Sequence, residues 1–287
     1  MSLLLAWIVS ITSGLEPIIL KASSKNLIRS PWLFNFLWIS SAYPLIVPFA
    51  IMHGAHWPVN WMTFVWLGLF HAGFFLLFTA AIYKIDTSTV TPLFALRTVF
   101  GVLLSVFVLG EHFTLLKFIL IGVIVLASPL TSYDEHRGLK AFRQKYVLLA
   151  VLAMASLALA GYFTNRAYAQ SGYASTVLWQ DTFTFMFLAP SLFFVKWKQE
   201  SWNARKFLPF VLLALVGFIY VAGTAAAFGQ ALGLSTVIVS LPISMILVWL
   251  IGLKYPNWLE YHPHSVYMVR FSGAFVMVAC AIALSFV

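Results

Sequence analysis

The chain is 287 residues long, 62% hydrophobic and only 9% charged. Soluble domains carry about 25% charged residues, so this composition excludes a water-soluble globular protein and places the chain in a bilayer. The net charge of +9 is spread over separate short segments, which argues against nucleic acid as a partner, and the single Cys280 excludes an internal disulfide framework.

Ten apolar runs follow one another: Leu3–Leu20, Trp32–Met52, Trp61–Tyr83, Thr87–Leu109, Phe113–Leu130, Tyr146–Arg166, Ala174–Val195, Phe207–Gln230, Leu234–Leu253 and Val266–Phe286. The runs lack strict alternation, so they read as helices, which satisfy their own backbone in hydrocarbon. No basic residue precedes the first run, whereas Lys21, Lys25 and Arg29 follow it. A signal peptide has the opposite polarity, so the run is read as a mature span.

The connections are asymmetric. Thirteen of the seventeen Lys and Arg fall after runs 1, 3, 5, 7 and 9, from Lys21 to Lys254. Basic loops stay on the cytoplasmic side, so these loops are expected inside and both termini outside. Trp32, Trp57, Trp61, Trp197, Trp202 and Trp258 lie near run ends, where amphipathic rings favour the interface. The longest connection, residues 131–145, divides the chain into 1–130 and 146–287, with five runs on each side. An odd number of spans per half gives an expected all-α fold of ten transmembrane helices in two inverted five-helix repeats. Residue pairs support the duplication: Ser88-Thr89-Val90 and Ser235-Thr236-Val237 stand 147 positions apart, with Gly122 and Gly273 beyond them.

The stretch Ala80–Ala127 resembles the drug/metabolite transporter superfamily, specifically its EamA-type ten-helix members. The matching residues are Tyr83, Pro92, the Leu109-Gly110-Glu111 turn and Gly122. In the second half Pro242 and Gly273 fit, but Lys254–Glu260 replaces the Gly-Glu turn. The resemblance implies a carrier with a central cavity, no cofactor and no enzymatic step. It further implies export and residence in a bacterial cytoplasmic (inner) membrane. It also implies cytoplasmic termini, against the loop charges.

Charges inside the runs are the candidate functional groups. Arg97 lies mid-span, where arginine costs at least about 2.5–3.5 kcal/mol, so it must meet water or a partner. It either binds an anionic group of a substrate or forms an internal ion pair. Glu16, followed by Pro17, either binds an amine or carries a proton, or else pairs with Lys21. Glu16–Pro31 loosely resembles the glutamate-bearing first helix of the small multidrug resistance branch. Asp181, beside Trp179 and Gln180, either serves an amine or proton or pairs with Arg97. Tyr83, Trp179, Tyr162 and Tyr220 are aromatic candidates for a cavity wall or for packing. Pro92 and Pro242 are hinges or fixed kinks, and Gly110 with Glu111 forms a structural turn. Asn165, Arg166 and Gln230 read as interfacial, and His71 as a helix contact. Glu260, His262 and His264 lack metal-site spacing, and no metal is expected.

No HExxH, GxSxG or Walker motif occurs. The expectation is a secondary carrier of a small polar metabolite, with an amino-acid-like zwitterion suiting the mixed charges and protons as a candidate coupling ion. A proton-coupled organic-cation antiporter and a non-transporting membrane scaffold are the alternatives.

Overall fold

The structure is a computed structural model and describes residues 2–109, 114–136, 138–200, 207–239, 243–254, 262–284 and 286. Gly110, Glu111, Arg137, Trp202, Arg205, Lys206, Pro242, Trp258 and Glu260 lie outside the described residues. The α-helices are α1 (Ser2–Asn26), α2 (Pro31–Met52), α3 (Trp61–Ile82), α4 (Thr87–Val90), α5 (Ala95–Leu109), α6 (Leu115–Thr131), α7 (Lys145–Leu188), α8 (Leu208–Val239), α9 (Ile243–Lys254) and α10 (His264–Leu284). Polar residues start several of them. Ser30 accepts from the Leu33 N–H ahead of Pro31, Asn60 from Met62, and Thr114 from Lys117.

The expected ten separate spans in two inverted repeats are not what the chain forms. Among the described residues six segments are long and apolar enough to cross a membrane: Pro31–Met52, Trp61–Ile82, Thr87–Leu104, Lys145–Phe194, Leu208–Ala226 and His264–Leu284. The protein is thus an all-α, multi-pass integral membrane bundle without a clear ten-helix, two-repeat arrangement. Three local effects account for the difference. At Gly172 (φ 72°, ψ 179°) the backbone leaves helical geometry with no separate loop, so two expected runs follow each other directly within the 44 residues of α7. Residues 231–233, which separate two expected runs, lie within the 32-residue α8. And α9 has only 12 residues, about 18 Å of helix against a hydrocarbon core of about 30 Å.

The most extensive helix pairs are α3 with α7, α1 with α8, and α6 with α10. In the last of these, a Cβ on Gly273 would lie 2.6 Å from Leu130 Cβ, so the two backbones approach at a distance only glycine permits.

The basic segments meet at one end of the bundle. There Tyr83 Oη donates to Ile28 O at 3.1 Å, and the Ser30 N–H donates to Glu200 at 2.8 Å. Lys21 Nζ donates to Ile82 O and Ile85 O at 2.9 and 2.7 Å, placing a cation on the C-terminus of α3. At the other end, Ser175 accepts from the His56 N–H, and Trp179 Nε1 donates to His56 O at 2.9 Å.

Candidate functional site

A small cavity of about 30 Å³ lies among α1, α3, α5, α8 and α9. Its wall is mostly aromatic, from Phe74, Phe75 and Phe78 on α3 and Phe94 beyond α4. Its polar groups are Ser13 and Glu16 of α1, Thr91, Arg97, Tyr220 and Ser244.

Local sequence explains how these groups reach the cavity. Pro17 lies inside α1 and has no N–H, so the Ser13 carbonyl loses its i+4 donor within the wall. Pro92 falls in a 3₁₀ turn, Thr91–Phe94, between α4 and α5. That turn changes the helical phase just before Arg97.

Arg97 is 2% exposed and lines the cavity together with Tyr220. The Glu16 carboxylate lines the same cavity and makes no hydrogen bond or ion pair among the described residues. The alternative pairing of Glu16 with Lys21 is not formed, since the Lys21 ammonium is bonded to carbonyls of α3 and its following loop.

The remaining candidates lie elsewhere. Asp181 is fully buried on α7, and neither carboxylate oxygen has a hydrogen-bond partner among the described residues, so the alternative pairing with Arg97 is not formed either. Gln180 accepts from Thr164 at 3.2 Å within α7. Trp179 packs against Trp57 and Trp61 at the non-basic end, with ring centroids 5.1 and 5.2 Å apart. Tyr83 caps the basic end. Pro92 sits at the break between α4 and α5. His71 bonds Thr184 at 3.1 Å across the α3–α7 interface.

Sequence reading missed the phenylalanine wall, because single phenylalanines in so aromatic a chain carry no positional signal. It also missed a second polar cluster. Arg270 of α10 is 1% exposed; its Nε donates to Tyr133 O at 2.9 Å and its Nη1 to Ser88 Oγ. Its Nη2 lies 3.5 Å from Asp86 Oδ2, which also bonds His262 Nε2 at 2.7 Å. The signal was available: Arg270 is a charge inside an apolar run, and such charges find partners. His262, considered with Glu260 and His264 for metal binding, pairs instead with Asp86. No group of three metal-ligating side chains occurs among the described residues.

Comparison with known proteins agrees with this architecture. Residues 1–133 match the EamA-like transporter family. No curated protein matches the chain significantly. A protein of known crystal structure, 16% identical, superposes with a TM-score of 0.67 over 99% of this chain and 97% of its own. At that identity the likeness shows the fold alone. The protein is a multi-pass membrane protein related over its first 133 residues to EamA-like transporters, which are carriers rather than enzymes.

Proposed function

We propose that the protein is a secondary carrier of a small, amino-acid-like zwitterion, exposing the interior cavity alternately to the two sides of the membrane. The observation that carries this reading is the placement of Arg97 and Glu16 on one cavity without a bond between them. A carboxylate of the substrate would meet the guanidinium, and an amine would meet the Glu16 carboxylate. The four phenylalanines would enclose its carbon skeleton. Export is the direction implied by the resemblance to EamA-type carriers. The basic end faces the cytoplasm on the charge rule, in a bacterial cytoplasmic membrane. Protons are the coupling ion in this reading, carried by Glu16 or Asp181.

The test is uptake into proteoliposomes of amino acids, organic cations, sugars and phosphorylated metabolites, each with and without a pH gradient. Uptake of amino acids supports the reading. Uptake of organic cations alone replaces it with an antiporter in which Glu16 binds the cation. Folded, inserted protein with no flux replaces it with the scaffold.

A further inference from the structure

A second cavity, of about 130 Å³, lies at the basic end of the bundle. It is bounded by Asp86, Thr89, Ser132, Asp134, Gln144 and Arg270. Ser132 Oγ is buried and has no hydrogen-bond partner, so this cavity presents an unused polar group.

Both cavities are lined by one short segment, Thr87–Phe94. Thr89 lines the second cavity, whereas Thr91 and Phe94 line the central one. This segment is weakly held by its own backbone. It consists of the four residues of α4 and a 3₁₀ turn, and Pro92 removes one internal donor. Its leading edge is bonded to α10 and the residues just before it. His262 and Arg270 hold Asp86 at its leading edge, and Arg270 holds Ser88 within it. Arg270 is tied in turn to Tyr133 O, so the pin is anchored on a third element.

We infer that the second cavity is the vestibule through which substrate passes between the central cavity and the basic end, and that Thr87–Phe94 is the gate between them, latched by Asp86 and Ser88 on Arg270 and His262. The inference rests on the carrier reading. The latch joins two parts of the chain far apart in sequence, so its bonds break when those parts separate. A short proline-containing turn with few internal bonds is then free to shift against its neighbours.

Thiol accessibility tests the gate without any knowledge of substrate. In a Cys280→Ser background, Thr89→Cys reports the vestibule and Thr91→Cys the central cavity. A membrane-impermeant thiol reagent is applied to each face of oriented vesicles. From the basic face, Cys at position 89 is expected to label fast and Cys at position 91 slowly. Adding Asp86→Asn should speed labelling at position 91 by about tenfold or more and leave position 89 within about twofold, because a charge-assisted bond is lost from the latch alone. His262→Gln should act in the same direction, and it serves as the test if Asp86→Asn does not fold. Labelling at position 91 that stays within about twofold in the folded variant overturns the gate, as does equal labelling of positions 89 and 91 in the parent. Unchanged labelling beside intact amino-acid flux overturns the gate alone. Faster labelling with no flux across the panel overturns the carrier reading alone.

Discussion

Arg97 of α5 and Tyr220 of α8 line the same central cavity, close enough that the guanidinium charge bears on the hydroxyl. The two residues are 123 positions apart (220 minus 97), so the cavity brings distant parts of the chain together where it presents a cation. A carboxylate bound there gains a charge-assisted bond roughly twice as strong as one between neutral groups. Arg97→Leu is expected to lower flux by about 100-fold or more with the protein still folded, since a bidentate anion contact is lost. Tyr220→Phe should raise KM by about three- to tenfold with a smaller change in maximal rate, because it removes one polar group from the cavity wall. Initial-rate transport with the two variants separates these effects. Collapse of folding in Arg97→Leu would instead make the arginine structural.

The two interior carboxylates differ in setting. Glu16 lies on the cavity, and Asp181 is fully enclosed with both oxygens lacking partners. Glu16→Gln is expected to weaken uptake of zwitterions far more than uptake of anionic analogues that lack the amine. Asp181→Asn preserves shape and removes an uncompensated buried charge, so its thermal stability should equal or exceed that of the parent. If Asp181 carries the coupling proton, flux in that variant persists down a substrate gradient but stops responding to a pH gradient. Flux that still follows the pH gradient in Asp181→Asn, and is lost from it in Glu16→Gln, moves the coupling role to Glu16.

The latch has a defined acid dependence. Burial pushes the Asp86 carboxyl up, but the His262 hydrogen bond and the charges of His262, Arg270 and Lys21 outweigh it and hold the group at about 2. The depressed value means that ionised Asp86 stabilises the folded protein above its ordinary value of 3.8, and this contribution is lost as pH falls through about 2. The difference in melting temperature between the parent and Asp86→Asn should therefore be constant from about pH 5 to about pH 4 and shrink below that. A difference that stays constant down to about pH 2 would show that the latch does not depend on the ionised carboxylate.

Composition alone made the bilayer and the helical class legible, since nothing else accommodates so apolar a chain. Arg97 and Glu16 were legible as charges in apolar runs, a cost that demands a cavity or a partner. Their shared cavity was not legible, because it depends on how α1 and α5 meet α8. Helix count failed where sequence punctuation is ambiguous. Residues 167–173 and 231–233 look like loops in sequence, yet the first stretch narrows to a break at Gly172 inside α7 and the second lies within α8. Arg270 and His262 were present as residue types but had no visible partner, because Asp86 is 184 and 176 positions away respectively (270 minus 86 and 262 minus 86). The family match ends at residue 133, short of the half in which Lys254–Glu260 replaces the expected turn.

Gly122 and Gly273 hold corresponding places in the sequence pattern but differ in what surrounds them. A Cβ at Gly122 would meet nothing within 4 Å. At Gly273 it would meet Leu130 Cβ at 2.6 Å, with Ala127 O and Thr131 N each at 3.2 Å. Two of those three neighbours are backbone atoms, which cannot swing aside as a long side chain can. Gly122→Ala should therefore be neutral or slightly stabilising, as alanine is the better helix former by about 0.8–1.0 kcal/mol. Gly273→Ala should force α6 and α10 apart and destabilise by about 1–3 kcal/mol, the usual cost of overpacking. Paired thermal melts in one detergent check the contrast. Equal melting temperatures for the two variants would mean that the α6–α10 contact yields without cost, and that glycine at position 273 is not required by packing.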